Sequence, residues 1–138
     1  MTSREEDKRV WAKSLGADQA FETGARLPEK VDAVIESVGE ATWSHSLRSL
    51  RPGGTIVTCG ATSGGAANAD LNRMFFLQLR VEGSTMGTAE ELRGLVKLLA
   101  STGARPVIDR VLPITAAAEA FAAMDAGELR GKIVLTFE

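Results

Sequence analysis

Residues 53–65 read GGTIVTCGATSGG, a short apolar run that stops abruptly in glycines and small hydroxyl residues. Thr55, Ile56, Val57 and Thr58 are all β-branched, which suits a pleated strand covered on both faces by helices. Gly60, Gly64 and Gly65 then permit positive φ and close approach of the backbone to a neighbour. In an open parallel α/β sheet, ligands sit outside the carboxyl ends of the strands. This stretch therefore reads either as a strand opening into a ligand crevice or as a structural loop after a strand.

Strand and helix signals alternate on either side of it. Upstream, Val31, Ala33, Val34, Ile35 and Val38 form a largely apolar run ending at Gly39, a strand of the parallel kind. Trp43, Leu47 and Leu50 follow at helical spacing, in a segment that Pro52 and Gly53 must end. Strand, helix and strand within about thirty residues make a βαβ unit. Before it, a helix is expected from about Arg4 to Ser14, with Val10, Trp11, Ser14 and Leu15 on one face. Ser3 and Glu6 form its capping box, and Gly16 a left-handed stop. Ala20 and Phe21 form a short apolar piece, followed by a polar turn.

Downstream, residues 68–78 fit either a helical turn or an extended stretch. Residues 79–83 alternate as a strand does. Thr88 and Glu91 form a second capping box, ahead of a stripe of Leu92, Leu95, Val96 and Leu99 that stops near Gly103. A strand over 107–112, a helix capped by Thr115 that carries Ala117, Ala120, Phe121 and Met124, and a last strand over 133–137 complete the chain. Such alternation argues for an α/β fold with a doubly wound parallel sheet.

Composition narrows the function classes. At 138 residues with 44% apolar and 25% charged content, the chain is of single-domain size and ordinary globular make-up. A net charge of −2 gives no reason to expect nucleic acid or an anionic membrane as partner. The charged N-terminus lacks the apolar core of a signal peptide, which leads us to expect a cytoplasmic protein. One cysteine, Cys59, excludes an intramolecular disulfide and a cysteine-cluster zinc site, and is expected to be a small buried hydrophobe. His45, the single histidine, lies in the helix after the first long strand and reads as a surface or interface residue rather than an acid–base group. Asp32, Glu36 and Asp109 could pair as carboxylates, although nothing in their spacing requires it. No nucleophile motif, phosphate loop or metal-ligand cluster is present, so no catalytic or metal-binding residue is assigned.

In order and spacing, several short pieces together resemble the nucleotide-binding half of the medium-chain dehydrogenase/reductase superfamily, the zinc-type alcohol dehydrogenases and quinone oxidoreductases. They are Lys8 with residues 12–18 (AKSLGAD), residues 31–39 (VDAVIESVG), residues 50–57 (LRPGGTIV), Gly83–Ser84, and residues 131–135 (GKIVL). The resemblance implies a partial Rossmann-like doubly wound parallel sheet lacking its first strand and glycine-rich turn. Residues 1–138 would be the truncated NAD(P)-binding domain of a larger dehydrogenase, inactive alone. In the strand order 3-2-1-4-5-6 the lost strands lie in the middle, which would leave the Phe21 strand without a neighbour.

The resemblance also implies a cofactor site. Ser3, Arg4 and Lys8 stand where the family reads the adenosine ribose; cations and hydroxyls there accommodate a 2′-phosphate, so NADP is expected, with NAD possible. The alternative is that Ser3 is a cap and the two cations are solvated. Ser37, Val38 and Gly39 would contact the adenosine side, Cys59, Gly60 and Ala61 the nicotinamide side, and Ser84, Thr85 and Met86 the carboxamide. Lys132 would lie near the pyrophosphate. The implied activity is hydride transfer to or from a carbonyl, alcohol, quinone or enone, with zinc not bound by this segment. A homodimer through Phe76 to Met86 is expected. The rival reading is a non-catalytic nucleotide-binding or oligomerisation module.

Overall fold

The structure, a computed structural model, describes residues 1–137. The chain divides into two compact units, Met1–Met86 and residue 87 onward.

In the first unit, β1 (Thr2–Ser3) leads into α1 (Glu6–Ser14), and β2 (Phe21–Glu22) returns parallel to β1, with Thr2 opposite Phe21. Phe21 thus has a neighbour, contrary to expectation. The capping box also fails: α1 starts at Glu6 with Glu5 as N-cap and no side-chain cap. The Ser3 hydroxyl instead accepts the Glu5 N–H at 3.4 Å. Of the α1 residues only Ala12 is buried, while Val10 and Leu15 of the expected apolar face are exposed. Gly16 does take the left-handed stop, at φ 102°.

β3 (Val31–Glu36), α2 (Glu40–Ser49) and β4 (Leu50–Thr58) form the expected βαβ unit. α3 (Leu71–Phe76), capped by the Asp70 carboxylate, then leads into β5 (Arg80–Gly83). Of residues 68–78, Leu71–Phe76 is therefore helical. The three strands form one parallel sheet in the order β3-β4-β5. β4 starts earlier than its β-branched core suggests. Val31 pairs with Leu50 and Ala33 with Thr55, so the intervening residues of β4 bulge out around Pro52 and Gly53 (φ 76°).

Packing explains the helical spacing of α2. Leu47, Leu50 and Ile56 are fully buried, with Val31, Val34, Trp43, Met74 and Leu79 packed around them. α2 and α3 thereby clamp one face of β4, and burying these side chains supplies the main apolar stabilisation of the unit.

The second unit contains α4 (Ala89–Thr102), β6 (Ile108–Pro113), a 3-10 turn (Ile114–Ala116), α5 (Ala117–Asp125) and β7 (Lys132–Thr136), with β6 and β7 parallel. The Thr88–Glu91 capping box is present in both directions, and Gly103 closes α4 at φ 72°. Thr115 is no cap; it lies inside the 3-10 turn, and α5 begins after Ala116 without a side-chain cap. Ala120 and Ala123 are the buried residues of α5, whereas Phe121 and Met124 are exposed. The α4 stripe is open too, with Leu92, Leu95 and Val96 at least half exposed. Among the described residues no helix is long and apolar enough to cross a membrane.

Leu47→Ala should destabilise the first unit by about 2–5 kcal/mol, the usual cost of a buried leucine cavity. Leu92→Ala, on the exposed stripe of α4, should change stability by less than about 0.5 kcal/mol. Urea titrations of the two variants against the parent chain check both values.

Candidate functional site

The carboxyl ends of β3, β4 and β5 are joined by backbone hydrogen bonds that continue past the strands. The Cys59 N–H donates to the Glu36 carbonyl at 2.8 Å, and the Ser84 N–H to the Thr58 carbonyl at 2.9 Å. This brings three of the expected groups onto one edge of the first unit: Ser37 to Gly39, Cys59 to Ala61, and Ser84 to Met86.

The first two groups interlock. Ser63 donates to the Val38 carbonyl through both its N–H (2.8 Å) and its hydroxyl (2.7 Å). The same hydroxyl accepts the Ala41 N–H at 3.0 Å, and the Glu40 N–H donates to the Gly64 carbonyl at 3.0 Å. The glycines explain how the loops come so close. A Cβ on Gly39 (φ 92°) would lie 2.5 Å from the Gly64 carbonyl oxygen, and one on Gly60 would lie 2.8 Å from that of Ser37. Gly64 (φ 128°) would meet the Glu40 carboxylate at 2.6 Å. The close approach that these glycines allow is thus to each other's loops. The rim outside the interlock is open: Ser37, Val38, Cys59 and Ala61 are exposed, and nothing lies within 4 Å of a Cβ built on Gly65 or Gly83. Met86 is 96% exposed, with a left-handed φ of 50°. Cys59 is therefore not the buried thiol expected of it.

The residue that sets this geometry is Glu36, which sequence reasoning left among unassigned carboxylates. Only 3% exposed, its side chain accepts from the Val38 N–H (2.8 Å), the Gly39 N–H (3.2 Å), the Thr42 hydroxyl (2.8 Å) and the Ser46 hydroxyl (2.5 Å). It thus satisfies N–H groups at the start of α2, where a negative charge is also favoured by the helix dipole. Burial pushes the carboxyl up, but the Ser46, Val38, Thr42 and Gly39 donors outweigh burial and hold it below its ordinary value of 4.5. A Glu closing a strand, with Gly, Thr and Ser at three, six and ten residues further on, was the signal available in the sequence. The other two carboxylates lie apart from it: Asp32 pairs with Arg51 (3.0 Å), and Asp109 with Arg110 (2.7 Å) and the Arg130 N–H (2.9 Å).

The ribose-side group stands at the end of β1. Ser3 is half-buried and Arg4 exposed. Lys8 is ion-paired with Glu5 at 2.8 Å, so an acid does stand beside these cations. Arg9 donates to the Ser3 and Arg4 carbonyls at 2.8 and 3.0 Å, fixing the turn. Lys132 opens β7 in the second unit, exposed, with its N–H on the Val107 carbonyl. His45 is half-buried, and its Nε2 lies 2.8 Å from the Ala25 carbonyl, which ties α2 to the turn before β3. Among the described residues no group of three or more His, Cys, Asp or Glu side chains is placed to hold a metal ion.

Because the folded-state pKa of Glu36 lies below its unfolded value, its stabilisation is complete above about pH 4.5 and is lost as pH falls through the folded value. Glu36→Gln should lower the urea midpoint at pH 7, and the gap to the parent chain should narrow as pH falls below 4.5. Parallel midpoint-versus-pH curves for the two proteins would disprove the assignment.

A sequence model of the zinc-binding dehydrogenases matches residues 15–135. A crotonyl-CoA reductase of Streptomyces avermitilis is 31% identical over 107 residues, 77% of this chain and 23% of that protein. Among solved structures, an NAD-dependent alcohol dehydrogenase superposes with a TM-score of 0.86 at 29% identity, over 99% of this chain and 43% of its own. The crotonyl-CoA carboxylase/reductase AntE in complex with NADP shares the fold, with a TM-score of 0.87 at 19% identity over 97% of this chain and 42% of its own. The chain thus spans less than half the length of these relatives. With a family match over nearly its whole length and α/β units of parallel strands that superpose on Rossmann-like dehydrogenases, the chain belongs to the zinc-binding dehydrogenase family.

Proposed function

We propose that residues 1–138 are the cofactor-orienting part of an NAD(P)H-dependent oxidoreductase, acting on a carbonyl, alcohol, quinone or enone. The observation that carries this reading is the open rim at the joined carboxyl ends of β3, β4 and β5, where a parallel α/β sheet binds its ligands. Ser37, Val38, Cys59, Ala61, Ser84 and Met86 are exposed there, with the interlocked glycines as a firm base. A bound nicotinamide supplies the hydride chemistry. The chain's own contribution is to hold and orient it, with Gly39 and Gly60 keeping the two loops in register and Glu36 fixing the first. We assign no catalytic group to this arrangement, and residues 1–138 alone should not turn nicotinamide over.

The cofactor we favour is NADP, on the strength of Ser3, Arg4 and Lys8 at the end of β1. Glu5 beside Lys8 is the feature that speaks for NAD. In fluorescence titrations, Arg4→Ala should weaken NADPH binding by about 1.5–3 kcal/mol, the worth of a charge-assisted hydrogen bond, and NADH binding far less. Equal losses would make Arg4 a solvated surface charge.

The oligomerisation reading draws support from β5. Every residue of β5 is exposed, Phe76 is 76% exposed, and β5 is an edge of its sheet. Since the Ser84 N–H points to β4, alternation along the strand turns the Val81 N–H to the free side. A two-fold pairing of β5 with its copy would continue the sheet across an isologous interface. Val81→Pro should then dissociate the dimer while leaving the β4–β5 ladder intact, as read by light scattering and circular dichroism. A monomeric parent chain would exclude the pairing.

A further inference from the structure

Between α2 and the loop that enters α3, the first unit holds a polar cavity of about 500 Å³, within the size range of small-molecule sites. One wall is Ser44 and Arg48 of α2, which share a face because they stand one helical turn apart. The other is Asn68, Asp70, Leu71 and Asn72. No residue of the strand-end rim lines it.

Bonds within the chain fix both walls. The Arg73 Nε donates to the Leu47 carbonyl at 3.1 Å, which ties α3 to α2. Asn68 Oδ1 accepts the Asp70 N–H at 3.0 Å, and Asp70 Oδ1 accepts the Arg73 N–H at 3.2 Å, so Asp70 is held at a left-handed φ of 44°. Walls set in advance reduce the ordering cost of binding.

Two opposite charges line this cavity without meeting each other. Among the described residues the Arg48 guanidinium has no ion-pair or hydrogen-bond partner, and the second carboxylate oxygen of Asp70 has none either. An anion would be drawn by Arg48 and repelled by Asp70; a cation would meet the reverse. A small molecule that carries both charges satisfies both walls. Leu71, 70% exposed, adds an apolar surface beside them.

We propose that this cavity binds a free α-amino acid with an aliphatic side chain. Its carboxylate pairs with the Arg48 guanidinium, whose fork suits two parallel hydrogen bonds, and its ammonium donates to the free oxygen of Asp70. The Ser44 hydroxyl and the Asn72 amide stand by as further polar partners, and the aliphatic chain lies on Leu71. A neutral polyol is a poorer occupant, since it would cover both charges without supplying an opposite one to either.

Calorimetric titration of the intact chain with L-leucine should give saturable one-to-one binding at millimolar concentration, and the amide signals of Ser44 and Asn72 should shift with the same dependence. Isocaproate lacks the ammonium and isoamylamine the carboxylate, so each should bind about tenfold more weakly than leucine. Arg48→Gln, at an exposed position, should weaken leucine binding by about tenfold or more. Asp70→Asn keeps the acceptor that caps α3, so the fold should survive, as circular dichroism will check. That variant should lose leucine to a similar degree and gain affinity for isocaproate, because the anion that repels the carboxylate is gone. A purely structural role for Asp70 would not produce this exchange of preference. Absence of saturable leucine binding, equal affinity for the one-charge analogues, or unchanged leucine binding in the two variants would overturn the proposal.

Discussion

The first unit depends on one buried carboxylate. Glu36 ends β3, and its two oxygens collect four donors from the next ten residues, two backbone N–H groups and two hydroxyls. A charge this deeply placed is tolerable only because each side is paired with a donor. In return it sets the sharp exit from β3, starts α2 at Glu40 and aligns the Ser37–Gly39 loop with the loop after β4. Removing one donor leaves the others bonded. Removing the carboxylate takes the acceptor from four donors at once, and of these the Thr42 hydroxyl alone keeps a second one, the Gly39 carbonyl at 3.3 Å.

The alternation of strands and helices was legible because apolar period and glycine punctuation agreed. Val31 to Glu36, Trp43 with Leu47, and Thr55 to Thr58 each carry one consistent signal and each became the expected element, whereas Leu50, expected in the helix, opens β4. Errors arose where a local motif was read without its partner. Ser3 and Glu6 have capping-box spacing, but Ser3 is held in β1 by pairing with β2 and cannot also end a helix. Thr115 lies within the 3-10 turn Ile114–Ala116, so it cannot stand as the cap before α5. Cys59 reads as core because it follows Ile56 and Val57, yet it lies past the last ladder pair, where the strand opens to solvent.

The site was legible as positions and illegible as interactions. Strand ends can be counted from a sequence, so Ser37 to Gly39, Cys59 to Ala61 and Ser84 to Met86 were found where the strands stop. Which glycine faces a ligand and which faces another loop depends on contacts between segments more than twenty residues apart. The role of Glu36 also needed the structure, since its partners are ordinary helix residues until α2 is seen turning back over it.

A Cβ on Gly39 or Gly60 would run into the backbone of the facing loop, whereas one on Gly65 or Gly83 would meet nothing within 4 Å. The rim therefore combines a fixed base with editable positions. A side chain installed at Gly65 or Gly83 would meet only solvent or a bound molecule and leave the scaffold undisturbed. Such an arrangement lets ligand preference drift by single substitutions without a matching loss of stability, and it separates the part of the surface that selection must hold from the part that it can explore.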